Sequence, residues 1–339
     1  MWRARRKAHL SYPLFVNPLC PAPRADTDAG RCVDLPVVDE QRPSYVGGSA
    51  AGVRRLHEAV AAFLQDGTLP SAGCAAVRTV PSTDLYRDDT TFAAFSVQQQ
   101  IAPNTDDGAR RTALCHHELA LFGREDLGRV LDLMCGVGGH LVALKSSGLR
   151  WKSYLGVDVN PLALDVARRA AGADAPARFV KADVRDWVPG EGTADTVLLT
   201  YEALNTAGRE QATRLLTTVA TALSPGGSAL IDLSVGTSTA TAGRDAQVLP
   251  DGSTAVLTSV EDTGSDSTQQ VLVHTTHFMN ADGCRLHFSH PWWVPSPGLL
   301  RSLFLDTGLE ICSEHQVHAF TDSDKPSTAN AVQFVVVRN

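Results

Sequence analysis

Val130-Leu131-Asp132-Leu133-Met134-Cys135-Gly136-Val137-Gly138-Gly139-His140 decides the fold. Val130 to Leu133 reads as a short, mostly apolar strand. A glycine-rich turn follows, and Leu141 to Lys145 opens a helix. Glycine permits backbone shapes closed to other residues and lets a ligand lie close to the main chain. A helix beginning there offers free N–H groups. Such a turn alone is weak evidence, because many α/β folds bind ligands at the carboxyl ends of strands. The chain downstream adds weight. Tyr154–Val159 reads as a strand, Leu162–Ala171 as a helix, Ala177–Val180 and Thr196–Thr200 as strands, Arg209–Leu223 as a helix and Ala229–Leu233 as a strand. That alternation with short joints predicts a parallel sheet covered by helices on both faces.

The flanks differ in texture. Residues 1–48 carry prolines at 13, 18, 21, 23, 36 and 43 and end on Gly47-Gly48, which predicts an irregular N-terminal arm. From Ser49, a plausible N-cap, Val53, Leu56, Val60 and Leu64 recur at helical spacing up to Gly67. A short helix is expected around Phe92 to Gln100 and another over Ala109 to Phe122, so 49–125 reads as a helical lid region. Residues 126–339 form the main domain. Within it, 235–296 reads as an antiparallel insert with strands at Ala255–Val260, Gln270–Phe278 and Cys284–His290. Pro297 opens a helix to about Thr307. Leu309–Cys312 and Ala331–Val337 close the chain as strands.

Composition excludes several classes. The chain has 339 residues, 43% apolar and 20% charged, near globular averages. No apolar run is long enough to span a bilayer as a helix. The charged start Met1-Trp2-Arg3-Ala4-Arg5-Arg6-Lys7 lacks the apolar core of a secretory signal. The net charge is -7, and the last 89 residues hold ten acidic and four basic side chains, which argues against nucleic acid as a partner. Seven scattered cysteines without a Cys-x-x-Cys pair suit a reducing cytoplasm and give no zinc-ribbon pattern.

Two more acids give the turn its meaning. Asp158 ends the second strand and Asp183 follows the third. A carboxylate at the first position can accept both hydroxyls of a ribose, and one at the second an adenine amino hydrogen. With Gly136 and Gly138, this describes a nucleoside pocket. A dinucleotide fingerprint would want a third Gly or Ala where Leu141 stands, and Asp132 would repel a pyrophosphate.

On these residues the chain resembles the class I S-adenosylmethionine-dependent methyltransferases, of the small-molecule type, over roughly residues 85–339. Asp132, Gly136 and Gly138 match the family's first motif. Asp158 with Val159, and Asp183 with Val184, match its second- and third-strand positions. Thr200-Tyr201-Glu202-Ala203-Leu204-Asn205 matches the segment after its fourth strand, and Leu223-Ser224-Pro225-Gly226-Gly227 the loop before its fifth. The family usually has glycine where Met134 stands, so this side chain must point away from the cofactor or the turn must differ. The resemblance implies a Rossmann-like seven-stranded sheet of order 3-2-1-4-5-7-6, with the seventh strand antiparallel. It also implies methyl transfer from S-adenosylmethionine, with Asp132, Gly136, Gly138, Asp158, Val159, Asp183, Val184 and Thr200 on the cofactor.

The sulfonium is already a good leaving group, so the protein mainly positions the acceptor. A base is needed only for a protonated or weakly acidic acceptor. Tyr201 or Glu202 is expected to orient or deprotonate it, or else to cap the helix near Ala207. His274, His277, His287 and His290 cluster later; two could share a strand face, and His277 is the candidate base. No metal is expected. Tyr86, Phe92, Asn205, Trp292 and Trp293 are candidate acceptor-binding residues, although the tryptophans could equally pack the insert on the sheet. His140 is expected near the cofactor carboxylate rather than in catalysis. The expected partner is a small molecule, from secondary metabolism by association with an Ala-, Arg- and Gly-rich composition, with a homodimer as candidate assembly. A protein or RNA methyltransferase, a non-catalytic cofactor-binding relative and a nicotinamide oxidoreductase remain alternatives.

Overall fold

The computed structural model describes residues 58–62, 64–65, 78–80, 87, 106–236, 243–248, 254–280, 283–316 and 331–338. The expected arm, the short helix from Phe92, and Tyr86 and Phe92 themselves lie outside these residues. Of the helix expected from Ser49, residues 58–62 and 64–65 are described and are helical.

Seven strands form the main sheet: β2 (Arg129–Leu133), β3 (Ser153–Asp158), β4 (Ala177–Lys181), β5 (Ala194–Leu199), β6 (Leu223–Ser234), β11 (Leu309–Gln316) and β12 (Ala331–Arg338). Their order is β4-β3-β2-β5-β6-β12-β11. Numbered within this sheet, that is the expected 3-2-1-4-5-7-6. Strand β12 runs antiparallel to both β6 and β11, while the other pairs are parallel.

The pleat explains which residues face which layer. On β2, Leu131 and Leu133 join the core shared with α4 (Ala203–Ala222) and α5 (Pro297–Asp306). Val130 points the other way, into a core built with α1 (Asp106–Ala120) and α2 (Gly139–Ser147). The same period of two runs through Leu198 on β5, Leu230 on β6 and Val335 on β12. Helix α3 (Pro161–Ala171) begins where Asn160 caps the amides of Leu162 and Ala163, with Pro161 preset for the first turn.

Helix α4 starts six residues before the expected Arg209. Gly208 is non-helical, with φ 72° and ψ 167°, and divides two helical pieces. The apolar spacing after Arg209 reveals only the second piece.

The second sheet has the order β1-β10-β9-β8-β7, built from β1 (Arg78–Val80), β7 (Gly243–Val248), β8 (Thr254–Asp262), β9 (Gln269–Asn280) and β10 (Gly283–Pro295). Three antiparallel strands were expected here. Strand β7 adds a fourth, and β1 a fifth that pairs in parallel with Leu286–Phe288. The region expected to be a helical lid therefore contributes a strand to the insert. Strand β10 runs through Pro291 to Pro295. Pro291 is tolerated because β1 has ended three residues earlier, so no described ladder bond needs its amide on that side.

Candidate functional site

The crevice lies at the carboxyl ends of β2 and β5, where the chain order of the sheet reverses. In open α/β sheets this switch point is where ligands bind. Met134, Gly136 and Gly138 all have positive φ, at 58°, 52° and 79°. Met134 thus holds a conformation that favours glycine, and its half-buried side chain packs on the α4 side of the sheet. A Cβ on Gly138 would sit 3.1 Å from the Cβ of Ala167, so turn and α3 meet at glycine's width.

Asp158 holds this turn. Its Oδ2 accepts the Gly136 amide at 2.8 Å and its Oδ1 accepts the Asn160 amide at 2.8 Å. Burial pushes its pKa up, backbone amides oppose the shift, and Asp132 adds repulsion. With the Val159 amide as a third donor, one of its four acceptor directions remains, enough for one ribose hydroxyl. Val159 follows it half-buried, and Val184 is buried in the core.

Asp183 departs from expectation. Its Oδ1 accepts the backbone amide and Nε of Arg185, and its Oδ2 accepts guanidinium nitrogens of Arg185 and Arg87. Four donors use its four acceptor directions. The paired arginines, Arg185 foremost, hold its carboxyl well below the usual carboxylate range. This carboxylate is committed to guanidinium groups and does not present itself to an adenine amino group.

Asp132 is also turned elsewhere. It sits on the α1/α2 face of β2, buried, and its Oδ2 accepts the Tyr154 hydroxyl and lies 3.2 Å from His140 Nδ1. His140 Nε2 lies 2.9 Å from Glu118 Oε2 on α1, and Gln333 Nε2 donates to Glu118 Oε1 at 3.1 Å. Gln333 is the cross-strand partner of Asp232. The pleat thus lines up Asp132, Asp232 and Gln333 on one face, beneath Glu118 and His140. Sequence reading missed Glu118, Asp232 and Gln333. A polar residue at the core phase of each strand was the signal available.

After β5, Thr200 is buried, and Tyr201 and Glu202 adopt tandem left-handed conformations, φ 62° and 53°. Successive amides in that shape form a concavity for an anion. Asp232 fills it, accepting from the backbone of Glu202 and of Tyr201. The Tyr201 hydroxyl lies 3.2 Å from Cys115 Sγ on α1, so its polar end turns toward that helix.

Glu202 is buried, and its Oε1 accepts the Ser234 hydroxyl. Burial raises its pKa to about 8, although Ser234 opposes the shift and Asp232 adds to it. Asp232 rises to about 7, through burial first and the neighbouring Glu118 second. Both carboxyls bind protons more tightly folded than unfolded. Their stabilising contribution is therefore whole below about pH 4 and is lost as pH rises through 7 to 8. The thermal midpoint is expected to fall by several degrees from about pH 6 to about pH 9, and less so in Glu202→Gln. A flat midpoint by differential scanning calorimetry would contradict the placement of both groups.

Asn205 is a clamp rather than an acceptor ligand. Its Nδ2 donates to the carbonyls of Ser234 and Trp293, at 3.0 and 2.7 Å, and its Oδ1 accepts the Ser234 amide at 2.9 Å. Fully buried, it ties α4 to β6 and to the insert. Asn205→Ala is expected to destabilise by about 3 kcal/mol in urea titration, because three buried backbone groups lose their partner.

The tryptophans occupy opposite faces of β10. Trp293 is core: it packs with the main-sheet cluster and donates Nε1 to Gln269 Oε1 at 2.7 Å, which corrects its assignment to the acceptor. Trp292 lies buried against His274 and His290. The histidines form two cross-strand pairs on opposite faces. His277 stacks on His287 with centroids 4.6 Å apart, and His274 on His290 at 5.3 Å. Burial lowers His277 to about 4, with His287 adding repulsion, so its imidazole is neutral near pH 7.

Residues 130–227 match a family model described as a methyltransferase domain. Among solved structures, an S-adenosylmethionine-dependent methyltransferase from Clostridium acetobutylicum is 13% identical, with a TM-score of 0.53, covering 72% of this chain and 96% of its own. The CcbJ methyltransferase from Streptomyces caelestis is 16% identical, with a TM-score of 0.52, covering 66% of this chain and 88% of its own. A search of curated proteins finds no match. The glycine turn, the strand order with its antiparallel β12 and the matched segment lead to one conclusion: the chain has the fold of the class I S-adenosylmethionine-dependent methyltransferases, and its residues 130–227 match a methyltransferase-domain model.

Proposed function

We propose that the protein transfers a methyl group from S-adenosylmethionine to a small-molecule acceptor, a secondary metabolite or its precursor, by in-line displacement at carbon. The observation that carries this reading is Asp158, held at the end of β3 by the Gly136 amide, beside a turn built at glycine's width. Asp158 fits the ribose end and the glycine turn leaves room for the methionine end, from which Asp132 is turned away; Asp183 does not fit the adenine end. When bound, the cofactor supplies an electrophilic methyl carbon on a cationic sulfur. Asp158 would hold the ribose. Gly136 and Gly138 would let the methionine moiety lie along the backbone.

Glu202 is the group best placed to take a proton from the acceptor. It sits at the switch point, is neutral at pH 7, and releases its own proton near pH 8. Segments 49–125 and 235–296 would roof the acceptor pocket. The net charge of -7 supports a small-molecule acceptor over nucleic acid. Calorimetric titration with S-adenosylmethionine and S-adenosylhomocysteine tests the cofactor, and micromolar binding of both is expected. Release of S-adenosylhomocysteine with small amines and alcohols, but not with tRNA or peptides, is the expected acceptor profile. Turnover on tRNA or peptides alone would reject it.

A further inference from the structure

The row of buried polar groups beneath α1 and α2 has no part in the chemistry described so far. At its centre is His140, buried in the first turn of α2. Both of its ring nitrogens face carboxylate oxygens, Glu118 Oε2 at 2.9 Å and Asp132 Oδ2 at 3.2 Å. A neutral imidazole has one donor and one acceptor nitrogen, and would set a lone pair against one carboxylate. An imidazolium donates to both. Each acid has a second donor that suits its charged form: Tyr154 donates to the same Asp132 Oδ2 that faces His140, and Gln333 donates to the other oxygen of Glu118. The remaining ionisable neighbours are Cys115 on α1, Tyr201 after β5 and Asp232 on β6. None of these is a fixed cation.

We propose that His140 is a positioning residue carrying a permanent positive charge, whose imidazolium bridges Glu118 and Asp132 and thereby fixes the glycine turn for the cofactor. The mechanical argument is short. Asp132 lies two residues before Met134, and His140 lies two residues after Gly138. The two ends of the turn are therefore joined to each other through the Nδ1 bond, and to α1 through Nε2. Burial disfavours the charged ring, but Cys115, Asp132 and Glu118 outweigh it and push its pKa well up. The cofactor role rests on the function proposed above; the charge state does not.

The test uses the full chain in two arms. Nitrogen-15 NMR of histidine-labelled protein, with His140→Gln for assignment, reads the charge without cofactor. Two protonated-type ring signals that do not titrate between about pH 6 and about pH 9 are expected. Glu118→Gln removes one carboxylate, and its His140 signals are expected to titrate inside that window. Calorimetry with S-adenosylhomocysteine reads the positioning. His140→Gln is expected to bind about tenfold more weakly than the unmodified protein. For Glu118→Gln, the ratio of its Kd to that of the unmodified protein should grow as pH rises and the ring loses its charge. Glu202 titrates in both proteins and cancels in that ratio; Asp232, whose carboxyl Glu118 helps push up, is taken out of the comparison by measuring both in the Asp232→Asn background.

A neutral ring at pH 7 in the unmodified protein overturns the proposal. So does a bound metal ion in stoichiometric amount, since Cys115, Glu118 and His140 place one ligand-type atom each within 4.8 Å of one another. A pH-independent Kd ratio overturns the positioning role. If the unmodified protein fails to bind S-adenosylhomocysteine, the cofactor reading and the positioning role fall together, while the NMR arm still decides the charge. If His140→Gln does not fold, the Glu118→Gln arms stand without it.

Discussion

Replacing Asp158 with alanine is expected to weaken S-adenosylhomocysteine binding by about 100-fold, the worth of two hydrogen bonds to a charged acceptor. Two effects add. A ribose hydroxyl loses its acceptor, and the Gly136 amide loses the oxygen that holds it at 2.8 Å. Asparagine separates them. Its single oxygen can keep the Gly136 amide while its NH2 stands where an oxygen accepted the Asn160 amide, so Asp158→Asn should retain the turn, loosen the start of α3 and bind weakly. Calorimetry of both variants, with near-ultraviolet circular dichroism to confirm folding, makes the comparison. Unchanged affinity in either variant removes Asp158 from the cofactor site.

Glu202→Gln should lower turnover by about 100-fold while leaving cofactor Kd within about threefold. Glutamine keeps an oxygen to accept the Ser234 hydroxyl, so the fold around β6 is preserved. What it loses is the capacity to bind and release a proton. The sign of the pH dependence follows from burial. With a pKa raised to about 8, the base form is scarce at neutral pH and fills as pH rises. Turnover of the unmodified enzyme should therefore climb through pH 8, and that climb should vanish in the variant. Equal losses in turnover and cofactor affinity would instead make Glu202 a structural residue. Its left-handed backbone and the Asp232 carboxylate seated on its amide supply the means.

The sheet was legible because most of its strands hold a short apolar run, as in β2, β5, β6 and β12, and because three strands end near an acid. Boundaries slipped: α4 begins before Arg209 because a left-handed Gly208 interrupts the periodic spacing, and β6, β10 and β11 extend four to six residues beyond the expected limits. Strands β1 and β7 escaped notice for a different reason. Arg78–Val80 has three residues, too few to show alternation, and Gly243-Arg244-Asp245-Ala246-Gln247-Val248 is polar along most of its length. The turn itself was legible: Gly136, Gly138 and Asp158 come together at the ends of β2 and β3 as their positions suggest. It was not legible where a side chain's partner comes from afar. Arg87 stands 96 residues from Asp183, and Gln333 stands 215 from Glu118. Nothing local in the sequence announces such pairs. Asn205 and Trp293 show the converse: residues at a site-like position whose polar atoms are spent on holding two sheets together.

The parallel pairing of Arg78–Val80 with Leu286–Phe288 bears on where this protein can be cut. By motif, the shortest self-sufficient piece would begin near residue 126. Such a fragment would carry the whole main sheet, but it would bare the edge of β10. An unpaired edge beside the apolar Leu286 and Phe288 recruits strands from other molecules. The smallest well-behaved fragment therefore begins upstream of residue 78, and an N-terminal shortening past Val80 should turn a discrete species into aggregates on gel filtration.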